Sequence, residues 1–233
     1  VAGLAAARPD LIVTQSKCDV CAVAYDDVLA AVRDVDALGG VQVVDLDPGS
    51  LDDVLADIGR LGRAAGLADD ATSGVVAGLR ERIDAVTAAT ASLAEDDRPV
   101  TASIEWMDPV MIAGNWDPGM VLAAGGRLAV PAQGTSQFVE WEAVVEARPE
   151  VIVVACCGYD LGKTLAEAGD LTSRPGWTDL PAVRDGRVWA VDGNAYFNRP
   201  GPRLVDSLEI LAHLLHPRLF PSDPAPGCWT SLA

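Results

Sequence analysis

Five cysteines, two histidines and a run of acid-flanked tryptophans are the side chains whose types and spacing suggest chemistry in this chain. Cys18 and Cys21 stand as C-x-x-C, the spacing of a redox pair or of half a zinc site. Their alternative is to be small apolar packing residues, as it is for the vicinal Cys156 and Cys157 and for Cys228. A zinc site would need a second ligand pair, and His213 and His216 lie far off on an apparent helix. Near a helix end a histidine also has a plain role, because a cation there interacts well with the helix dipole. Glu105 and Asp108 are spaced as paired carboxylates, yet no nucleophile or base keeps them company. There is no G-x-S-x-G, P-loop or H-E-x-x-H, and Gly125-Gly126 stands without a dinucleotide fingerprint. Enzymatic readings therefore reduce to thiol-redox or metal-handling chemistry at Cys18 and Cys21.

The stretch Glu105 to Gly126, EWMDPVMIAGNWDPGMVLAAGG, offers a different chemistry, that of a binding surface. Trp106 and Trp116 and the Asp108-Pro109 and Asp117-Pro118 steps break it into a loop. The apolar run Val100 to Ile104 leads into it as a buried strand. A helix leaves it, with Asp117 as the expected N-cap and Pro118 at the first helical position, where a missing N–H costs nothing. A strand that ends in a Trp-bearing loop and re-enters through a helix N-terminus is how open α/β sheets build ligand sites. The alternative is that both indoles close the core.

The elements around that stretch follow an α/β pattern. The chain has 233 residues, half of them hydrophobic, enough for one large domain or two modest ones. Residues 1–8 read as a helix, Asp10 to Thr14 as a buried strand, Asp26 to Ala37 as a helix and Val41 to Leu46 as a strand. Ser50, with Asp53 three residues on, opens a helix that Gly66 ends. Strand–helix alternation predicts a parallel sheet with right-handed crossovers. Helical spacing then continues from Asp69 to about Glu95 without a Pro, and Arg98-Pro99 closes it. A second strand–helix series follows, with a strand at Val151 to Ala155, one at Arg187 to Val191 and a last helix from Pro202 to Leu215. The triplet Arg148-Pro149-Glu150 echoes Arg8-Pro9-Asp10, each before a buried strand.

The expected division is a partial N-terminal lobe at 1–68, a joining helix at 69–97, a C-terminal lobe at 98–220 and a Pro-rich tail at 221–233. The opening at Val1, helix before strand, leads us to expect that an N-terminal segment precedes it.

Composition excludes more than it identifies. Thirty-four acidic residues against 17 basic ones give a net charge of −17, which repels nucleic acid and anionic membranes. No apolar run approaches the ~20 residues of a membrane span.

Four blocks together resemble a known family: QSKCDVCAV at 15–23, EWMDPVMIAGNW at 105–116, ACCGYDL at 155–161 and DGNAYFNRPGPRLVDSLEILAHLLHP at 192–217. They are similar to the cobalamin and iron-siderophore binding proteins of ABC importers, in particular the vitamin B12-binding branch. The resemblance implies a non-catalytic protein of two Rossmann-like lobes joined by a single long helix, the class III periplasmic binding protein arrangement, with the first lobe truncated here. It implies a ligand held between the lobes, an ABC permease as partner, a monomer, an extracytoplasmic location and no resident cofactor or metal. Carried over by position, it places Tyr196 or Phe197 against a corrinoid, assigns the second lobe's first ligand loop to Trp106 through Trp116, including Asp108 and Asn115, and matches Gln15 to Cys18 to the first lobe's loop. Asn115 stands where the family pattern leads us to expect a histidine. Asp26 or Asp27 and Glu167 are the positions for permease contact.

A corrinoid is a broad, mostly apolar disc edged with amides, so its site needs flat aromatic walls and a few polar groups. Trp106, Trp116, Tyr196 and Phe197 all fall in expected loops, and Asn198 and Arg199 are placed to bond an amide rim. The alternative for Arg199 and Arg203 is pairing with Asp192 or Glu209. A ferric siderophore or haem is the rival ligand; the siderophore would ask for clustered Arg or Tyr against its anionic groups, and this chain has little basic charge to supply.

Overall fold

A computed structural model describes residues 2–16, 23, 25–132 and 134–232. The chain divides into two compact units, one of residues 1–48 and 52–78, the other of residues 49–51 and 79–233.

The first unit holds α1 (Ala2–Ala7), β1 (Leu11–Gln15), α2 (Tyr25–Asp34), a 3₁₀ turn (Asp36–Leu38), β2 (Gln42–Leu46) and α3 (Leu51–Ala64). β1 and β2 pair in parallel from Leu11 opposite Gln42 to Gln15 opposite Leu46. β1 is less buried than its apolar sequence suggests. Ile12 is buried, but Val13 on the opposite face is 48% exposed, because successive side chains alternate faces and only one face is covered here. α3 ends as expected at Gly66, whose φ of 74° suits the left-handed closing position. Leu67 N–H donates to Gly62 O at 2.9 Å and Gly66 N–H to Arg63 O at 3.0 Å, the paired bonds that satisfy the last carbonyls. Any side chain at Gly62 would come within 2.3 Å of the Thr72 methyl, so the start of the next helix lies hard against it.

That helix, α4 (Asp69–Thr90), carries the chain from one unit into the other, with residues 69–78 in the first and 79–90 in the second. It stops five residues short of the expected Glu95. The Arg98 guanidinium donates to the Thr90 carbonyl at 2.9 Å, and Leu93 N–H donates to the same oxygen. A 3₁₀ turn (Glu95–Asp97) follows.

The second unit is a mixed sheet flanked by helices. Its elements are β3 (Val100–Met107), β4 (Val110–Ile112), α5 (Asp117–Ala123), β5 (Arg127–Leu128), β6 (Gln137–Phe138), α6 (Trp141–Ala147), β7 (Val151–Val154), α7 (Leu161–Glu167), α8 (Gly169–Thr172), a 3₁₀ turn (Trp177–Asp179), α9 (Pro181–Arg184), β8 (Val188–Val191), a π-helical turn (Gly193–Phe197), α10 (Leu204–Leu215) and β9 (Trp229–Ser231). The strand order is β6-β4-β3-β7-β8-β9, with β5 paired to the start of β3. β5, β3, β7 and β8 run parallel; β4 pairs antiparallel with β3 and β9 antiparallel with β8, and β6, antiparallel to β4, completes one edge.

β7 is buried along its whole length, the behaviour its unbroken VIVV predicts for a strand covered on both faces. β3 runs three residues past the expected Ile104 and turns back through Asp108-Pro109, a cis peptide, into β4. α10 is buried along most of its face circumference, from Leu204 and Val205 to Leu214 and Leu215.

The expected tail at 221–233 is a correction: residues 229–231 form β9, and Trp229 packs edge-on against Trp189 of β8, with centroids 5.3 Å apart. Arg8 (φ 45°) and Arg148 (φ 48°) take the left-handed conformation at the ends of α1 and α6, so the R-P-acid echo is a repeated helix-to-strand switch. No helix among the described residues is long and apolar enough to cross a membrane.

Candidate functional site

The carboxyl ends of β3, β7 and β8 converge in the second unit. Parallel pairing places Ile104, Val154 and Ala190 side by side, so the three following loops leave the same edge. Backbone bonds knit these loops together: Cys157 N–H donates to Glu105 O at 3.1 Å and Asn194 N–H to Tyr159 O at 2.9 Å. The turn at 193–197 is fixed by its first residues. Asp192 caps it by accepting from Ala195 N–H at 2.8 Å. Gly193 is required there, because a Cβ would meet both Cys156 O and Asn198 Oδ1 at 2.4 Å.

Glu105 is the polar centre of this edge. Burial raises its pKa above the usual carboxylate range, while bonds from Ser136 and Asn198 pull the other way. Ser136 hydroxyl donates to Glu105 and accepts from Gly114 N–H at 3.1 Å, and Asn115 N–H donates to Gly134 O at 2.6 Å. Asn115 adopts φ 54°, a conformation Asn tolerates. The amide oxygens of Asn115 and Asn198 are both closed off from solvent without a donor. Behind them, Asp117 is wholly buried. Desolvation pushes its pKa up to about 7; Ser103 offsets part of that shift and the charge of Glu105 adds to it. Asp117 is therefore no N-cap. The cap position is Trp116, without a side-chain bond, and the carboxyl points inward.

Aromatic side chains divide between wall and core. Trp106 is half-buried, meets Tyr159 edge-on at 5.1 Å and donates Nε1–H to Asp108 O at 3.1 Å. Lys163 Nζ lies 3.8 Å from the centre of the Tyr159 ring. Tyr196 is half-buried, and its hydroxyl accepts from the Cys228 thiol at 3.0 Å. Trp116 and Phe197, by contrast, are core residues, 7% and 3% exposed, and so is Tyr159 at 8%. This corrects the expectation that Trp116 or Phe197 presents its ring to a ligand: the apolar rings are consumed in packing the second unit.

The family of periplasmic binding proteins matches residues 2–195. The chain belongs to that family. It is accordingly a solute-binding protein and not an enzyme. Among solved structures it is similar to an ABC transporter substrate-binding protein from Listeria monocytogenes EGD-e (16% identity, 92% of this chain and 80% of that one, TM-score 0.76). It is likewise similar to the periplasmic heme-binding protein RhuT from Roseiflexus sp. RS-1 (24%, 93% and 79%, TM-score 0.73) and to the periplasmic vitamin B12 binding protein BtuF of Vibrio cholerae (22%, 92% and 76%, TM-score 0.69). At these identities the likeness is one of fold. No curated protein matches the sequence significantly.

The remaining sequence candidates of this periplasmic binding protein fall in several places. Asp108 is exposed on the β3–β4 turn, where it accepts from Arg174 at 2.7 Å beside a groove of about 400 Å³ lined by Phe138, Trp141 and Pro175. Arg199 is bonded to the Asn194 side chain at 2.7 Å and Arg203 to Ala195 O at 3.3 Å, so neither pairs with Asp192 or Glu209. Glu209 instead joins Asp206 around Arg82. Glu167 pairs with Lys163 at 4.0 Å and accepts from the Tyr159 hydroxyl, whose pKa it drives up to about 12.

In the first unit, Gln15 ends β1 beside Leu46, and Asp26 and Asp27 are exposed in the first turn of α2. A groove of about 780 Å³ over β2 and α3 holds Asp45, Asp47, Asp53 and Asp57 with Arg60 and Arg63, and none of the sequence candidates lies in it. Cys18 and Cys21 lie outside the described residues. Among those described, no His, Cys, Asp and Glu cluster fits a metal. His213 Nδ1 donates to Phe220 O at 2.7 Å and His216 Nε2 to Gly125 O at 3.1 Å; burial lowers the His216 pKa, so it is a neutral packing residue rather than a dipole-stabilised cation.

Tyr159 and Ser136 were not legible as site residues. Tyr159 had a signal, its place directly after a buried strand's carboxyl end; Ser136 had none.

Proposed function

We propose that this protein is the substrate-binding component of an ABC importer, working outside the cytoplasmic membrane as a monomer and holding a cobalamin-like corrinoid at the carboxyl edge of the second unit's sheet. The observation that carries the reading is the gathering, at the carboxyl edge of β3, β7 and β8, of half-buried Trp106 edge-on to buried Tyr159, of Tyr196 and Asn194 on the turn after β8, and of Asn198 against the Glu105 carboxyl group. Flat rings suit a macrocycle's apolar face, and amides suit its amide rim.

Haem and ferric siderophores are the competing ligands, since solved relatives include both a heme-binding and a vitamin B12 binding protein. The basic side chains of this edge favour the corrinoid. Arg174 is bonded to Asp108 and Met107, and Arg199 to Asn194, so both are already held by protein acceptors rather than turned toward an anionic ligand. Glu167 and Asp27 are the proposed permease contacts.

Titration with cyanocobalamin, haem and a ferric hydroxamate, followed by tryptophan quenching, tests the reading. Saturable quenching by cyanocobalamin alone is expected; tight binding of haem with none of cyanocobalamin would replace the corrinoid.

A further inference from the structure

We infer that Glu105 is a positioning residue: its carboxylate, bonded to Asn198, holds the turn that carries Asn194 and Tyr196 in its binding posture and so sets ligand affinity without touching the ligand. The inference rests on the reading that this turn faces the ligand, and it adds what keeps the turn in place.

The turn depends on contacts from outside it. It is a single π-helical turn, a rare conformation found most often as an isolated turn at functional sites. Its own backbone supplies Tyr196 N–H to Asp192 O at 3.2 Å and Asn198 N–H to Gly193 O at 3.0 Å. Other segments fix both ends. At the entry, Asp192 N–H donates to Cys228 O at 2.8 Å, and Gly193 lies against Cys156 O. At the exit, Trp116 holds Phe197 and Glu105 holds Asn198.

The Asn198 amide shows how much that last contact weighs. Its oxygen is sealed from solvent without a donor, an arrangement that costs roughly 1–3 kcal/mol. Turning the amide over would set that oxygen against the Glu105 carboxylate, so the N–H bond to the charged group decides its orientation. Glu105 also reaches the neighbouring loops. The Ser136 hydroxyl donates to the same carboxylate, and Cys157 N–H donates to the Glu105 backbone carbonyl at 3.1 Å. One residue thus ties the loop before β6, the loop after β7 and the turn after β8. Among the described residues no Lys or Arg forms an ion pair with it, which leaves Ser136 and Asn198 to stabilise its charge. A turn already in place spares binding the cost of ordering Tyr196 and Asn194, which is how preorganisation raises affinity.

The test exchanges the two groups. Glu105→Gln, Asn198→Asp and the double variant are compared with wild type in two ways at pH 8. One is amide hydrogen exchange of residues 193–198 without ligand, with α10 as the internal reference; the other is cyanocobalamin titration. Asn198→Asp sets two carboxylates face to face and is expected to speed exchange in the turn and weaken binding, each about tenfold, the size of one lost hydrogen bond to a charged group. Glu105→Gln lets the Asn198 amide turn over and pair with it, so a change of about threefold or less is expected. The double variant keeps the wild-type charge with carboxylate and amide exchanged, and both readouts should return to within about threefold of wild type. If Asn198→Asp does not fold alone, Asn198→Ala supplies the comparison, costing more with Glu105 present than in the Glu105→Gln background. Equal losses from the position-198 change in both backgrounds overturn the inference, and cyanocobalamin binding by the wild type then leaves the corrinoid reading standing. Recovery of exchange without recovery of affinity overturns it as well, since the bond is then structural alone. Wild-type protein that ignores cyanocobalamin overturns the corrinoid reading and the affinity half of the inference, while the exchange comparison still decides whether Glu105 holds the turn.

Discussion

The Trp116 indole donates its Nε1–H to the Phe197 carbonyl oxygen at 2.8 Å, joining residues 81 positions apart. Trp116 ends the loop before α5 and Phe197 ends the π-helical turn after β8. One buried bond therefore sets the spacing of two of the loops that flank Glu105.

That bond separates the two tryptophans by role. Trp116→Ala removes a buried ring and orphans a carbonyl, and is expected to destabilise the second unit by about 3–5 kcal/mol. Trp106→Ala is expected to leave melting close to wild type and weaken cyanocobalamin binding by roughly 1 kcal/mol, about fivefold in Kd. Thermal melts and quenching titrations on both variants distinguish these outcomes.

Asp117 makes stability depend on pH in an unusual direction. Its folded pKa of about 7 lies above the ~4 of an unfolded carboxyl group. Between those values the unfolded chain has released this proton while the folded one keeps it, so the Asp117 contribution falls as pH rises from ~4 to ~7 and is level above that. Asp117→Asn should therefore match the wild type near pH 4 and exceed it at pH 8, by at most roughly 4 kcal/mol. Urea unfolding at pH 4, 6 and 8 measures the difference.

Arg82 on α4 grips α10 through Asp206 at 2.5 Å and Glu209 at 2.6 Å. All three side chains are partly exposed, which limits the clamp to about 1–2 kcal/mol. Arg82→Ala should cost that much in low salt, since it also leaves two acids one turn apart on α10, and less in 1 M NaCl. Denaturant melts at the two salt concentrations check it.

Trp229 closes the edge of the sheet. Its ring packs against Trp189 and lies 5.3 Å from His213, and its Nε1–H donates to Asp223 at 3.1 Å. Trp229→Ala should destabilise by roughly 3 kcal/mol. Removing residues 222–233 should in addition expose the β8 edge and promote association, visible in light scattering.

Legibility in the sequence followed how local the determining contact is. VIVV at 151–154 and the Val100 run were readable as strands because burial on both faces leaves an unbroken apolar string. Gly66 marked a helix end through its own backbone freedom. The end of α4 was not readable, since the residue that stops it is Arg98, acting from beyond the helix on the Thr90 carbonyl. β9 was missed because three residues after a Pro-rich stretch carry no period, and only pairing with β8 makes them a strand. At the site, the loop aromatics could be found by type, but which rings were walls and which were core depended on tertiary partners such as the Phe197 carbonyl. Asp117 looked like a cap because local spacing says nothing of the burial its carboxyl meets.

The paired arginines at 8 and 148 have a use of their own. Each holds a side-chain-bearing residue in a backbone state that only glycine enters freely, at a cost of about 1–2 kcal/mol apiece. Because one lies in each unit, Arg8→Gly and Arg148→Gly act as separate dials: relieving either raises the melting point of its own half, and calorimetry of the single and double variants would reveal whether the halves melt together or in turn.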